Sequence, residues 1–225
     1  MKLKRILILF GVIILGCRSS PEVSFDNLNQ AFVNWYFKYH PVESTRYNIK
    51  IKNGKYSLNT KVEMDEYYAD ISRFLIELSQ IDATKIPPDS RIDYKILYSK
   101  LEEMKFVIDE IKPWEWNPLW TLDELYDGIY ILSERADISM ADRIKSIKLR
   151  LDEIPGLLNN SKILLTRYSK IHIFYSNTRL DMLVNLLKQL PLKLNSDHIS
   201  LDIIDELINK AIIALDGYKV WLNSY

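Results

Sequence analysis

Residues 113–120 read PWEWNPLW, and they place three of the five tryptophans of this 225-residue chain, Trp114, Trp116 and Trp120, around two prolines. Proline lacks a backbone N–H and its ring clashes with the preceding helical turn, so a regular helix cannot run through this stretch. Asn-Pro favours a turn, and large aromatic side chains gain much free energy on burial. We therefore predict a corner between two helices in which the tryptophans are mostly buried. The alternative is a partly exposed aromatic platform that binds a ligand.

On both sides of this corner, apolar residues recur at steps of three and four, the spacing that places them on one face of a helix. The predicted helices cover about 25–39, 62–81, 90–111, 122–135, 140–169, 178–190 and 201–221, with one further turn at 42–48. The apolar stripe before the corner comprises Ile92, Ile96, Leu97, Leu101, Met104, Ile108 and Ile111. Residues 50–61, which contain Asn-Gly, predict a loop or a tight hairpin.

Polar residues that can accept a hydrogen bond from the first helical turn stand at the predicted helix starts. They are Ser24, Asp89 or Ser90, Thr121, Ser139 and Ser200. Pro41 and Pro191 are predicted to end helices, whereas Pro155 lies inside a predicted helix and is expected to kink or break it. The resulting helices are joined by short connections, which favours antiparallel neighbours.

The composition agrees with helices. Glycine occurs only six times, Leu, Ile, Lys and Glu are plentiful, and no internal repeat of fixed period is evident. The 30 basic and 30 acidic residues form no basic patch, so nucleic acid is not an expected partner. We predict an all-α fold of seven or eight antiparallel-packed helices that forms one domain over residues 25–225.

The first residues are typical of a secretory signal. Lys2, Lys4 and Arg5 precede an apolar run at 6–15, which is too short to span a bilayer. The run ends in Ile14-Leu15-Gly16-Cys17, which resembles the lipobox of bacterial lipoproteins. The alternative is a plain signal peptide followed by an incidental cysteine.

The lipobox resemblance implies that residues 1–16 are a lipoprotein signal peptide and that Cys17, the only cysteine, becomes an acylated N-terminus. Residues 17–24 would then form an acylated tether. Two acyl signals on one residue anchor a protein stably to a membrane without crossing it. The expected location is the bacterial cell envelope, and Arg18, in place of an acidic residue, favours the outer membrane over the inner membrane.

Several short stretches form an ordered set over nearly all of residues 25–225. They are Trp35–Pro41 with Glu43-Ser44-Thr45, Ile92–Leu97, Trp116-Asn117-Pro118, Arg143, Arg150–Pro155 with Leu158, Ala214-Leu215 and Trp221-Leu222. The set resembles the N-terminal half of the bacterial domain-of-unknown-function 885 family. That resemblance implies a secreted or lipid-anchored, all-helical, zinc-peptidase-like protein. Longer family members carry a His-Glu-x-x-x-Gly-His motif, in which histidines bind zinc and the glutamate acts as a base.

This chain lacks that motif. Its histidines are His40, His172 and His198, none of which precedes a glutamate or is paired at helical spacing. No catalytic, metal or cofactor-binding residue of the family therefore carries over, and zinc is implied only for complete members. A zinc site from three distant histidines is the alternative, but His40 suits the negative end of a helix dipole as a simple helix-end residue. The resemblance suggests a metallopeptidase-like hydrolase whose catalytic half is separate or missing.

Charged residues offer two further candidates. Arg143 and Arg150 are seven residues apart and share a helix face, with Asp152 and Glu153 next to Arg150. We predict structural ion pairs for both arginines, and the alternative is binding of a substrate carboxylate. Adjacent carboxylates such as Asp123-Glu124 are interpreted as a solvated helix face, with a glycosidase pair as the alternative.

Three functions remain open on the sequence. The chain is the N-terminal, non-catalytic half of a zinc-peptidase-like lipoprotein that is inactive alone, a free-standing lipoprotein module that binds peptides or glycans through its aromatics, or a structural or partner-binding domain. An exposed aromatic patch around Trp114, Trp116 and Trp120 would favour the second function. An exposed apolar face would favour the third.

Overall fold

The computed structural model describes residues 20–49, 54–57, 60–194 and 202–224. The predicted signal peptide, the lipidation site Cys17, the predicted cap Ser200 and the third histidine, His198, lie outside these residues.

Eight α-helices make up most of the described residues, which contain no β-strand. The helices are α1 (Pro21–Tyr39), α2 (Pro41–Arg46), α3 (Lys61–Ser79), α4 (Pro88–Phe106), α5 (Leu119–Glu134), α6 (Met140–Leu164), α7 (Lys170–Lys193) and α8 (Asp202–Leu222). Short 3-10 turns occupy Ala83–Lys85 and Pro113–Glu115, and a π-helical turn occupies Val107–Ile111. The prediction of an all-α fold with seven or eight helices is confirmed.

Two helices begin at prolines rather than at the predicted caps. The α1 helix starts at Pro21, and the Ser20 hydroxyl, not that of Ser24, accepts the hydrogen bond from the first turn. This helix therefore extends into the segment predicted as a tether. The α4 helix starts at Pro88 instead of being capped by Asp89 or Ser90. Proline suits the first helical position because its missing N–H would have no partner there and its φ is already helical.

Prolines inside the last helices do not end them. The α6 helix continues through Pro155, so of the two predicted effects, a kink or a break, the break does not occur. The α7 helix begins at Lys170, eight residues before the predicted start, and passes Pro191 to end at Lys193. Pro191 is tolerated because it lies in the last turn, where Leu194 N–H still donates to the carbonyl of Leu190 at 3.0 Å.

The apolar side chains form two clusters. The N-terminal cluster joins α1, α3 and α4, and its buried members are Phe25, Leu28, Phe32, Trp35, Tyr67, Ile71, Phe74, Leu78, Ile86, Leu97, Leu101 and Met104. The C-terminal cluster consists mainly of leucine and isoleucine side chains from α5 to α8. Helix α2 packs against both α1 and α5, so it lies where the two clusters meet.

The predicted stripe of α4 is only partly correct. Leu97, Leu101 and Met104 are buried, whereas Ile92 and Ile96 are 61% and 62% exposed. The C-terminal part of α4 therefore packs into the N-terminal cluster, and its first turns present apolar groups to solvent. Among the described residues, no helix has the length and hydropathy needed to cross a bilayer.

Candidate functional site

The corner at residues 113–120 follows a π-helical turn and begins with a 3-10 turn. The π-helical turn after α4 ends at Lys112, which adopts a left-handed conformation with φ 47° and donates its N–H to the carbonyl of Val107 at 2.8 Å. The chain then enters the 3-10 turn that begins at Pro113. The Asn117 side chain accepts a hydrogen bond from the N–H of Leu119 at 3.1 Å. Helix α5 begins at Leu119, so Thr121 lies inside the helix and is not its cap as predicted.

The three tryptophans of the corner are not all buried as predicted. Trp116 is half-buried, donates its indole N–H to the carbonyl of Ile111 at 2.8 Å and packs against the ring of His172 at 5.0 Å. Trp114 is half-buried and lies edge-on to Trp120, with ring centroids 6.4 Å apart. Trp120 is 45% exposed, so the prediction of burial is wrong for this residue. Its position in the first turn of α5 places it at a cavity instead of in an apolar cluster.

That cavity has a volume of about 440 Å³ and lies between the two clusters. Its wall combines aromatic, acidic and aliphatic side chains from α1 to α6 and from the corner. The lining residues are Tyr36, His40, Val42, Glu43, Ser57, Met64, Tyr67, Lys100, Glu103, Met104, Val107, Ile108, Trp114, Asn117, Leu119, Trp120, Thr121, Asp123, Glu124, Leu125, Asp127 and Leu157. The volume is in the range typical of small-molecule sites, so this cavity is the candidate site.

An aromatic group from α1 and α3 forms one wall of the cavity. The His40 ring stacks on Tyr36 at 4.2 Å, and its Nε2 shares a hydrogen bond of 2.7 Å with the Tyr67 hydroxyl. Tyr67 in turn stacks on Trp35 at 4.9 Å, and the Trp35 indole N–H donates to Asp70 at 2.7 Å. These contacts hold the wall rigidly, because every ring has a neighbour that fixes its plane.

Burial controls protonation in this wall. Desolvation, helped by the positive charge of Lys100, lowers the pKa of His40 to about 4, so its imidazole is neutral at pH 7. Desolvation also raises the pKa of Tyr67, with contributions from Tyr36 and Glu103, and raises the pKa of Tyr36. The side chains of His40, Tyr67 and Tyr36 are therefore uncharged near neutral pH and offer neutral hydrogen-bonding groups to the cavity.

The opposite wall, on α5, is acidic. The Glu124 carboxylate accepts two hydrogen bonds from Ser57, at 3.0 Å from the backbone N–H and at 2.6 Å from the hydroxyl. Burial raises the pKa of Glu124, and the Ser57 hydrogen bonds and the charge of Arg150 act against this rise. Burial likewise raises the pKa of Asp123, partly offset by Arg179 at 2.7 Å. The pair Asp123-Glu124 thus faces a cavity rather than the predicted solvated face.

The other carboxylates that line the cavity form ion pairs. Arg46 bridges Glu43 at 3.2 Å and Asp127 at 2.8 Å, which joins α2 to α5. Lys100 pairs with Glu103 at 3.0 Å on α4. These pairs are partly exposed and contribute little stability each, about 0 to 1 kcal/mol. Their main effect is to fix the positions of charges around the cavity mouth.

The two histidines of the described residues, His40 and His172, are not brought together. His40 is in the cavity, whereas His172 lies at the start of α7, where its Nδ1 shares a hydrogen bond of 2.6 Å with Ser169. Within the described parts of the chain, no three His, Cys, Asp or Glu side chains form a group that could hold a metal ion. What the cavity offers chemically is stacking surface, neutral hydrogen-bonding edges and carboxylates.

Arg150 has a structural role, but not the predicted ion pair. Its guanidinium is fully buried and donates to the carbonyls of Lys55 at 3.1 Å and of Gly128, and to the Thr45 hydroxyl at 2.7 Å. The neighbouring acids pair elsewhere, because Glu153 contacts Lys55 and Asp152 contacts Lys210. Burial lowers the pKa of Arg150, and nearby Tyr56 and Glu124 act against this. Arg150 therefore ties α2 and residues 54–57 to α5 and α6 through carbonyl oxygens.

Arg143 does not form the predicted ion pair with a described residue either. Its Nη1 donates to the carbonyl of Arg135 at 2.8 Å, which fixes the connection between α5 and α6. Both arginines thus stabilise backbone geometry, and neither lines the cavity.

Sequence reasoning missed most of the cavity. His40 was interpreted as a helix-end residue, which it is, since it lies between α1 and α2. The signal that could have revealed more is the stretch Trp35–Pro41, whose aromatic residues exceed what one buried helix face needs. Glu124 gave no signal, because nothing in its neighbourhood in the sequence distinguishes it from a solvated carboxylate.

The fold has a counterpart among solved structures. A structure described as that of a putative lipoprotein of unknown function from Shewanella oneidensis matches 89% of this chain with a TM-score of 0.75 and 17% sequence identity. The match covers 37% of that chain, so this protein spans little more than a third of its neighbour's length. No protein-family model matches this sequence, and neither does any curated protein. At this identity the likeness shows a shared fold alone.

Proposed function

We propose that this chain is a lipid-anchored, non-catalytic helical domain that binds a ligand in the cavity between its two clusters. We further propose that it corresponds to the N-terminal half of a longer zinc-peptidase-like envelope protein of the domain-of-unknown-function 885 family. The observation that carries the proposal is the cavity itself. It is large enough for a small ligand, and the half-exposed Trp120 and the rigid His40 wall line it.

The fold supports the family part of the proposal. The ordered set of stretches from Trp35–Pro41 to Trp221-Leu222 covers nearly the whole helical region. The neighbour from Shewanella oneidensis contains this fold within a longer chain, of which the match covers 37%, and is described as a putative lipoprotein of unknown function. In a complete protein of that kind, the helical domain would cover and shape a substrate cleft, while a second half would supply the zinc chemistry.

Ligand binding is tested by titrating the purified domain with short peptides and with N-acetylglucosamine oligomers while tryptophan fluorescence is recorded. We expect a saturable change with at least one class of probe. Trp120→Leu should weaken it, because the substitution removes an exposed stacking surface without disturbing the clusters. Phe174→Leu is the matched control, since Phe174 is 64% exposed on α7 and does not line the cavity. If no probe changes the signal, the proposal is wrong.

Lipid anchoring is tested at Cys17. We expect the full chain to incorporate a labelled fatty acid and to sediment with cell-envelope membranes, and we expect Cys17→Ser to abolish both. Separation of outer and inner membranes on a density gradient then tests the preference for the outer membrane that Arg18 indicates. A Cys17→Ser protein that still carries the label would contradict the lipobox interpretation.

The non-catalytic role is tested by metal analysis. We expect much less than one zinc per purified chain and no peptidase activity that chelation removes, because the zinc motif of complete family members is not in this sequence. One zinc per chain, together with activity lost on chelation, would show that the chain is an enzyme in its own right.

A second candidate function, binding of a separate catalytic half, is favoured by one face of α7. Ile171, Phe174 and Tyr175 share that face and are 57%, 64% and 54% exposed. We expect a neighbouring gene product with the His-Glu zinc motif, when co-expressed, to co-purify with this chain. Phe174→Ser should release it, whereas unchanged co-purification would exclude this face.

A further inference from the structure

The charges that line the cavity are unbalanced. Five carboxylates and a single ammonium group stand in its described wall, and the acidic members are Glu43, Glu103, Asp123, Glu124 and Asp127. Four of the five form an ion pair: Arg46 contacts both Glu43 and Asp127, Lys100 contacts Glu103, and Arg179 contacts Asp123. Glu124 differs from them, because it pairs with no cation of the described residues.

Glu124 is held by neutral donors alone. Its contacts are the backbone N–H and the hydroxyl of Ser57. The nearest buried cation, Arg150, directs its guanidinium to carbonyl oxygens and to the Thr45 hydroxyl instead. A buried carboxylate without a counter-ion is costly, and a cation that enters the cavity would recover part of this cost. Because the Glu124 side chain is already held in one position, it would lose little conformational entropy on pairing with a cation.

The aromatic part of the wall also suits a cation. Trp114 and Trp120 lie edge-on to each other beside the cavity, and Trp120 retains substantial exposure. A cation over the face of a tryptophan ring is attracted by the ring quadrupole, most strongly where water is excluded. Val107, Ile108 and Met104 add an aliphatic surface to the same cavity. A ligand that combines a cationic head with an apolar stem would match all three surfaces.

We propose that the cavity binds a ligand in which an aliphatic stem carries a protonated amine or guanidinium group, as in the lysine or arginine side chain of a peptide. This inference rests on the proposed function, because it names the class of ligand for the same cavity. The head group pairs with the Glu124 carboxylate, and the stem lies against the tryptophans and the aliphatic wall. Neutral glycans and acidic peptides are disfavoured, since neither supplies a counter-ion to Glu124.

The experiment compares three probes by calorimetry and tryptophan fluorescence on the purified chain. They are N-acetyl-lysine-N-methylamide, its norleucine counterpart, which keeps the stem and lacks the ammonium group, and spermidine. We expect the lysine probe to bind at least about tenfold more tightly than the norleucine probe, the size expected for one charge-assisted hydrogen bond. Tighter binding of spermidine than of the lysine probe would assign the amine to a polyamine, and the reverse would assign it to a peptide. Either result supports a cationic ligand.

Variants of two cavity residues, Glu124 and Trp120, test whether the probes bind at the cavity wall. Glu124→Gln keeps an oxygen that can accept from Ser57 but removes the charge, so it should lower the affinity for the lysine probe about tenfold and leave the norleucine probe unchanged. Glu102→Gln is the control, because Glu102 is exposed on α4 and does not line the cavity. Trp120→Leu, at an exposed position that tolerates change, should weaken both peptide probes.

The outcomes separate this inference from the proposed function. If the norleucine probe binds as tightly as the lysine probe, or if Glu124→Gln leaves the lysine affinity unchanged, the cavity is a ligand site but the cationic class is wrong. If neither peptide nor spermidine nor N-acetylglucosamine oligomers bind at millimolar concentration, both the proposed function and this inference are wrong. If Glu124→Gln does not fold, the ratio of the affinities of the unaltered chain for the lysine and norleucine probes tests the inference by itself.

Discussion

His40 shows how a single residue acquires its properties from contacts far away in the sequence. Its neighbours in the chain make it the cap between α1 and α2, but its ring shares a hydrogen bond with the hydroxyl of Tyr67, on α3. Lys100, on α4, and the surrounding burial lower its pKa. The imidazole is thereby kept neutral at pH 7.

This lowered pKa predicts a pH dependence of stability. Above pH 6.5 His40 is neutral in both states and has no effect; as the pH falls from 6.5 to about 4 the unfolded chain binds a proton that the folded chain does not. The free energy of unfolding should therefore decrease over this range, by about 3 kcal/mol at most, and this loss should level off below pH 4. Urea titrations at several pH values measure it, and NMR of the His40 ring gives the pKa directly.

The control is His40→Gln, which keeps a polar side chain that can bond to Tyr67 and does not titrate. We expect the variant to lose the part of the pH dependence between 6.5 and 4 that His40 supplies. An identical pH profile for both proteins would show that His40 titrates normally in the folded state.

Trp120 makes a second prediction at the residue scale. It is 45% exposed, whereas Trp35 is 8% exposed and the remaining three tryptophans are half-buried. Trp120→Phe should therefore lower the iodide quenching constant of the chain, since it removes the most accessible indole. Trp35→Phe should leave that constant unchanged or raise it slightly, and the reverse order would contradict the placement of the corner.

At the scale of helices, two glycines in similar settings have opposite packing. Gly128, in the middle of α5, is buried, and a Cβ there would overlap the ring of Tyr56. Gly217, on α8, has open space around the same position. Glycine weakens both helices in principle, so only the packing decides whether an alanine is tolerated.

Gly128→Ala should lower the free energy of unfolding by about 1 to 3 kcal/mol, because the overlap with Tyr56 outweighs the better helix propensity. Gly217→Ala, its matched control, should raise the free energy of unfolding by up to about 1 kcal/mol. Thermal and urea unfolding followed by circular dichroism measure both. A neutral or stabilising Gly128→Ala would mean that Tyr56 does not pack against α5.

At the scale of the whole molecule, the two clusters are held in register by few contacts. Helix α2 packs on both clusters, and Arg150 is hydrogen-bonded to Thr45 of α2, to the carbonyl of Gly128 on α5 and to that of Lys55. The cavity lies in this junction, so the same contacts that join the clusters also set its shape. Loosening them should affect ligand binding as well as stability.

Arg150→Met should lower the free energy of unfolding by about 3 kcal/mol or more, because it removes the buried hydrogen bonds of the guanidinium to the carbonyls of Lys55 and Gly128 and to the Thr45 hydroxyl. Arg167→Met is the control, since the Arg167 side chain is 62% exposed and forms only a surface pair with Glu115. The control should change the free energy by less than about 1 kcal/mol. If urea titration gave equal changes in the free energy of unfolding for the two substitutions, Arg150 would not have the proposed stabilising role at the junction.

The all-α class, the approximate number of helices and the corner at Trp114–Trp120 follow from the sequence by itself. Helix periodicity and the effects of Pro113 and Pro118 are local, acting within a few residues of the chain. Local signals also have limits, as Pro191 shows, because α7 continues past it to Lys193 although a proline was predicted to end the helix.

Only the tertiary structure decided the partners of the charged and aromatic side chains. Arg150 bonds to residues 22 to 109 positions away, and Glu124 is 67 positions from Ser57. Burial and pKa depend on such distant neighbours, so the sequence predicted ion pairs and a solvated face where the fold places carbonyl oxygens and a cavity. The exposure of Trp120 was also decided by the tertiary structure. The packing of the surrounding helices fixes which side of α5 faces the cavity.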